Sequence, residues 1–303
     1  MKIRHKLQKL KSDGPSVVTI GKFDGIHRGH RELIRETVSS ARELKAVPAV
    51  FSFDMASVML LSKDERRAML EEAGVRLLVE CDFGPEIITM EAEDFVEKIL
   101  LEKLQMKKVI VGEHFRFGYG RRGDAELLLR MGEECGFGVR LVPEVMDGDV
   151  KISSSVIREA VGRGDMERAN GLLGYSFFVT GRIIHGRQLG RTLGVPTANL
   201  ITDRSKLLPP NGVYYTRGVV GDRSWNGITN IGTKPTVDGH FIGVETYFFD
   251  CDENLYGEDL RVELLHFSRP EQKFSDLTAL KERISLDETE GRAYFAARRC
   301  VGV

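Results

Sequence analysis

A chain of 303 residues exceeds what one core usually serves, since single cores rarely grow beyond roughly 250–300 residues, so two domains are expected. Hydrophobic residues at 42% and charged residues at 29% exclude a disordered or fibrous chain. The net charge of -1 supplies no general field for gripping nucleic acid, and no apolar run reaches bilayer length.

The basic start, MKIRHKLQKLKSDG, lacks the apolar stretch of a signal peptide. Cys81, Cys135, Cys251 and Cys300 are scattered with no C-x-x-C pair, which suits reduced thiols better than disulfides or zinc. The expectation is a cytoplasmic protein with small-molecule substrates and neither a nucleic-acid nor a membrane partner. Oligomeric state is not legible.

Ser16–Ile20 (SVVTI) is a short apolar run ending at Gly21, the pattern of a buried parallel strand. GKFDGIHRGH, Gly21 to His30, then joins that strand to an amphipathic helix marked by Leu33, Ile34, Val38, Ala41 and Leu44. Amides at a helix N-terminus carry partial positive charge, and glycine lets a phosphate approach the backbone. Gly21, Phe23, Asp24 and Gly29 are therefore candidates for nucleotide binding. His27 and His30 are candidates for donating to oxygens that gain charge during phosphoryl or nucleotidyl transfer. The H-x-G-H spacing differs from that of zinc proteases, and the competing reading is a helix cap with two exposed histidines.

Further strands are expected at Ala49–Phe53, Arg76–Val79, Lys108–Val111 and Val139–Val142, with helices at Lys63–Ala73, Ala92–Leu104 and Asp124–Cys135. This alternation predicts a Rossmann-like α/β domain, a parallel sheet covered on both faces, with ligands at the carboxyl ends of its strands. HFRFGYGRRGD, His114 to Asp124, offers Phe115 and Phe117 for stacking on a planar ring, and Arg116, Arg121 and Arg122 for phosphates. In ISSSVIREAV, Ser153, Ser154 and Ser155 precede a helix bearing Arg158, and a phosphate cradle competes with simple capping.

After a short helix at Asp165–Leu173 the pattern changes to strands broken by glycines: Phe177–Ile184, Gly212–Val220, Ser224–Ile231, Val244–Phe249 and Leu260–Phe267. These predict an antiparallel β-barrel followed by a C-terminal helix. HGRQLGRTLGVPTANL carries Gly186, Gly190 and Gly194 with Arg187 and Arg191, a loop able to wrap phosphates, yet it is no P-loop. In its PTAN turn, Thr197 and Asn199 are neutral oxygen ligands suited to Mg²⁺ retained by substrate phosphates. NIGTKPT, Asn230 to Thr236, reads as a second polar turn. Glu245 lies in an apolar strand, where either an ion pair or a general base explains a carboxylate.

Taken together, GKFDGIHRGH, VGEHFRFGYGRRGD, ISSSVIR, GRQLGRTLGVPTANL, NIGTKPTV, GVETYFFD and LYGEDLRVELLHFSRPEQKF resemble the bacterial bifunctional riboflavin kinase/FAD synthetase family, in family order and over nearly the whole chain. The resemblance implies an FMN adenylyltransferase domain at 1–168 and a riboflavin kinase domain at 169–303. The second would phosphorylate riboflavin with ATP and Mg²⁺, and the first would convert FMN and ATP into FAD and pyrophosphate. It also implies that Thr197 and Asn199 hold the metal and phosphates, that Glu245 is the base, and that His27, His30, Ser153, Ser154, Ser155 and Arg158 grip ATP. His114, Phe115 and Phe117 are expected near flavin in the first domain, and Asn230 near flavin in the second. Gly186, Gly190 and Arg191 are expected near phosphate. The chain departs from the family after its second strand, where FSFDMASVMLLSKDERR has no P-x-P-H-P-like turn, and at His114, where Asn or Asp is common. A riboflavin kinase with an altered first domain, and a flavin-binding regulator without turnover, are the competing readings.

Overall fold

A computed structural model describes residues 1–54, 58–82, 84–185, 195–236 and 239–299. It divides into two compact units, Met1–Ser154 and Ser155–Val303. The expected boundary at 168/169 falls inside a helix, Met166–Leu173.

In the first unit, β1 (Lys2–Arg4), β2 (Ser16–Gly21), β3 (Val47–Asp54), β4 (Leu77–Asp82), β5 (Met106–Gly112) and β6 (Gly138–Val142) form one sheet. Its order is β1-β4-β3-β2-β5-β6, and every pairing is parallel. Alternation within β2 explains why the sheet is covered twice. Val18 and Ile20 join one apolar cluster with Phe51, Val79 and Val109, whereas Val17 joins another with Ala41 of α1 (Arg28–Glu43) and with Ile110. The N-terminal segment, read from sequence as a basic tail, supplies β1, because Lys2, Ile3 and Arg4 pair with Leu77, Leu78 and Val79.

Helix α2 (Lys63–Glu72) starts at a capping box: Ser62 Oγ accepts from Glu65 N, and the Glu65 carboxylate accepts from Ser62 N. The expected single helix at Ala92–Leu104 is instead one α-helical turn, Ala92–Asp94, running into a π-helical stretch, Phe95–Leu101. The wider turn lets the adjacent pairs Phe95–Val96 and Ile99–Leu100 all reach the core, which a 3.6-residue period does less well. Asp124 caps the helix at Ala125–Cys135, which ends at left-handed Gly136.

In the second unit, Asp165 caps the Met166–Leu173 helix, and a closed barrel follows. With β7 (Met146–Asp147) and β8 (Val150–Lys151) forming a hairpin before the division, the barrel strands are β9 (Phe178–Ile184), β10 (Thr197–Ile201), β11 (Gly212–Val220), β12 (Arg223–Thr236), β13 (Gly239–Phe248) and β14 (Asp259–Pro270). They close in the order β10-β13-β12-β11-β14-β9, antiparallel throughout. Alternation again sorts the residues: Leu200, Val244 and Ile231 form an inward row, as do Ala198, Thr246 and Thr229. The inward hydroxyls satisfy one another, Thr216 to Thr229 at 2.8 Å and Thr229 to Thr246 at 2.9 Å. The C-terminal helix (Leu277–Arg299) lays Tyr294 and Phe295 against Val213, Tyr215, Ile228 and Phe249. Asp287, 1% exposed, anchors it by accepting from Arg269 at 2.8 and 2.6 Å.

Candidate active sites

In the first unit, β2 ends at Gly21 and the chain turns through three residues with positive φ, Phe23 (48°), Gly25 (85°) and Ile26 (38°), before α1 begins. Phe23, Asp24, Ile26 and His27 are all buried there. Non-glycine residues held in the left-handed region cost on the order of 1–3 kcal/mol each, so two of them mark a turn whose shape is enforced by its surroundings. Two ties enforce it. The Asp24 carboxylate accepts from Leu60 N at 2.7 Å, and the Asp24 carbonyl accepts from Ser154 Oγ at 2.9 Å. Asp24 thus holds the turn in place, and Ser154 brings the ISSS segment to it. Ser153 is half-buried beside it, whereas Ser155 and Arg158 lie on the helix Ser154–Gly162 and belong to the second unit.

His27 is the N-cap of α1, its Nδ1 accepting from His30 N at 3.4 Å. That bond leaves the proton on Nε2, so the neutral ring presents a donor. The two imidazoles stack with centroids 3.7 Å apart, and Phe23 lies 5.1 Å from the His30 ring. Burial lowers the His27 pKa to about 4. Burial and the neighbouring His27 hold His30 well below its usual value, and its Nδ1 is buried with no hydrogen-bond partner among the described residues. Both rings are neutral donors at pH 7, next to the positive end of a helix dipole. A β-carbon on Gly29 would come within 3.3 Å of the His27 ring, so glycine lets the first turn close over it. Of the competing reading, the helix cap holds, since His27 caps α1, whereas the exposure does not, since His27 is buried and His30 half-buried.

Beside this turn lies a cavity of about 360 Å³ whose apolar wall includes Phe53, Ile87, Met90, Phe95 and Phe117. Phe117 is buried, and Phe115 stacks behind it at 5.5 Å. His114 is exposed, faces Glu144 at 3.5 Å and is not among the residues lining the cavity. The loop carrying Phe117 packs directly on Ala92: β-carbons on Gly118 or Gly123 would meet it at 2.7 and 2.6 Å. Phe53, Phe95 and Met90 were missed in the sequence because an apolar residue lining a cavity looks like one filling a core.

In the second unit, register places Asn199, Glu245 and Asn230 side by side on β10, β13 and β12. All three are half-buried on the outward face, and Thr197 follows two residues from Asn199 on the same face. Asn199 Nδ2 donates to Thr197 Oγ1 at 3.3 Å, so its carbonyl oxygen stays an acceptor. PTAN is therefore a strand start rather than a turn. NIGTKPT is likewise part of β12, not a second turn, because pairing with β13 overrides its turn-forming residues. Glu245 sits in an apolar strand without entering the core, since its neighbours Val244 and Thr246 take the inward positions. Glu271, absent from the sequence reading, reaches back from just beyond β14 to accept from Asn211 Nδ2 at 3.2 Å and Asn230 Nδ2 at 3.5 Å. Gly186, Gly190 and Arg191 lie outside the described residues.

Oxygen donors on one face, Thr197 Oγ1, the Asn199 carbonyl and the Glu245 carboxylate, fit a hard cation that keeps most of its other ligands from water and phosphate. Among the described residues no group of three His, Cys, Asp or Glu forms a self-sufficient metal site.

Comparison with known proteins also divides the chain into two parts. The family described as FAD synthetase matches residues 9–156, and that described as riboflavin kinase matches residues 173–295. The bifunctional riboflavin kinase/FMN adenylyltransferase of Escherichia coli (strain K12) is 35% identical over 302 residues, 96% of each chain. The protein of that name from Bacillus subtilis (strain 168) is 31% identical over 313 residues, 98% of each. A crystal structure described as a macrolide-efflux protein from Streptococcus pneumoniae has a TM-score of 0.85 at 29% identity, covering 96% of this chain and 98% of that one. Among the described residues no helix is long and apolar enough to cross a membrane.

Proposed function

Since the chain belongs to the bifunctional riboflavin kinase/FMN adenylyltransferase family, we infer that its second half phosphorylates riboflavin to FMN and its first half converts FMN to FAD, both with ATP. In the kinase half, the Glu245 carboxylate takes the proton from the ribityl 5′-hydroxyl as that oxygen attacks the γ-phosphorus of ATP, and ADP leaves. Thr197 and Asn199 are the residues that hold Mg²⁺ together with the nucleotide phosphates, and the ion supplies charge neutralisation there. Asn230, beside Glu245, orients the flavin's polar chain, and Gly186, Gly190 and Arg191 meet phosphate.

In the transferase half, an FMN phosphate oxygen attacks the α-phosphorus of ATP, the bond to the β-phosphate breaks, and pyrophosphate leaves. The neutral His27 and His30 donate to phosphate oxygens at the amino end of α1, with Ser153 and Ser154 adding donors. Asp24 and Gly21 shape the turn that carries them. The cavity walled by Phe53, Phe95 and Phe117 seats the flavin ring, with Phe115 supporting Phe117 from behind. Neither transfer needs a covalent protein intermediate, because positioning and charge stabilisation suffice for in-line displacement. We place both reactions in the cytoplasm.

The observation that carries this reading is the row Asn199–Glu245–Asn230 with Thr197 beside it, which joins a base, metal-binding oxygens and an amide on one face. The test is Glu245→Gln. FMN formation from riboflavin should fall at least about 100-fold, as expected when a general base is lost, while FAD formation from supplied FMN stays within about twofold. Equal loss of both would contradict the division of labour.

A further inference from the structure

Three cations, Lys22, Arg116 and Arg121, line the cavity of the first unit, and among the described residues no carboxylate does. A neutral isoalloxazine ring does not require them. Arg116 is already committed to Asp124, at 2.8 Å, the residue whose other oxygen caps the next helix. Arg122 turns instead to Glu91, at 3.6 Å, and to the Tyr119 ring. Lys22 and Arg121 have no acidic partner among the described residues.

Both are placed by the backbone rather than by chance packing. Lys22 follows Gly21 at the carboxyl end of β2 and immediately precedes the strained Phe23 turn. Arg121 has φ of 59°, next to Gly120 at 58°, so a non-glycine residue is held in a region that usually belongs to glycine. Strain of that kind persists where surrounding contacts enforce it, and it aims this side chain at the cavity.

We propose that Lys22 and Arg121 bind the phosphate of the incoming flavin and make this site select FMN over riboflavin. The proposal rests on the assignment of the cavity to the flavin ring. Riboflavin and FMN share the ring and the ribityl chain, and only the phosphate separates them. An apolar wall alone gives the two molecules nearly equal affinity, whereas two cations at its edge favour the one carrying an anion. Selection also has a chemical reason. The FMN phosphate oxygen is the nucleophile, so a lysine one residue before the histidine-bearing turn holds that oxygen near the ATP α-phosphorus.

The test uses the full-length protein and follows FAD formation from FMN, with Lys22→Met and Arg121→Met. Each variant should raise the KM for FMN about tenfold and leave the KM for ATP unchanged, and Lys22→Met, which also loses a contact that positions the nucleophile, should lower kcat more than Arg121→Met does. Lumiflavin, which has the ring but neither ribityl chain nor phosphate, should compete with FMN equally well in the parent and in both variants. Phe117→Ala should weaken that competition. Competition by lumiflavin with an unchanged KM for FMN in both variants would overturn the role of the two cations and leave the ring site standing. A rise in the KM for ATP instead would also overturn it, by assigning the cations to the nucleotide. Failure of lumiflavin to compete at all would remove the ring site itself.

Discussion

The proposed chemistry of the first site turns on histidines that stay uncharged. His27 is held at about pKa 4 by burial, below the value near 6.5 expected of an unfolded chain. The unfolded chain therefore binds this proton more readily than the folded one. The resulting stability is fully present above pH 6.5 and is lost as pH falls from there through 4. His30, shifted in the same direction, adds to the same loss. His27→Asn supplies a side-chain oxygen as the capping acceptor in place of Nδ1 while removing the titration. Urea unfolding at pH 7 and pH 5 should therefore show a smaller acid loss in the variant than in the parent, and an identical loss would contradict the buried, neutral imidazole. Much of this site was legible in the sequence: GKFDGIHRGH gave both histidines and the turn. The helix cap was among the readings of the sequence, whereas the stacking of one imidazole on the other depends on the backbone path, which a spacing rule does not contain.

At the scale of elements, the most heavily charged buried junction lies between α2 and β4. Arg66 and Glu80 are 2% and 1% exposed and meet at 3.0 Å, with Arg67 reaching Glu80 at 2.6 Å. Removing one member strands the other in a poorly solvated place. Glu80→Leu should destabilise the first unit by about 3–5 kcal/mol in urea melts, and Arg66→Met together with Glu80→Leu should cost less than either change alone. A double variant as unstable as the sum of the singles would show that the pair is not the source. The loop holding Phe117 gives a second prediction. Gly118 has φ of 72°, and a β-carbon there would come 2.7 Å from Ala92. Gly118→Ala should displace the loop and raise the KM for FMN, with riboflavin phosphorylation serving as the control. An unchanged KM would detach the loop from flavin binding.

Strands with strong apolar runs were readable, as SVVTI and GVYYTRGVV were. Those that fail to read carry turn-forming or charged residues and exist through pairing. Lys2–Arg4 is too short and too polar to announce itself, yet β4 offers it an edge. Thr197–Ile201 follows a proline and holds Thr and Asn, but β9 and β13 capture it from both sides. For the same reason the sequence named Asn199, Asn230 and Glu245 separately without showing that they share a row. Register is a property of three strands at once, and Glu271 joins that row from a fourth.

For the whole molecule, the central claim is that one polypeptide carries two ATP-dependent sites with separate catalytic groups. Both halves of that claim were legible as motifs, because each site draws its polar residues from a few short segments, although the fold alone brings those segments together. The measurement that tests it most directly is complementation, with riboflavin, ATP and Mg²⁺ as the only substrates and FAD as the product followed. Glu245→Gln alone should yield almost no flavin product, and His30→Ala alone should accumulate FMN. Mixed together, the two variants should restore FAD, since FMN made by one is adenylylated by the other. FAD formed by either variant alone at the parental rate, or none formed by the mixture, would contradict the account.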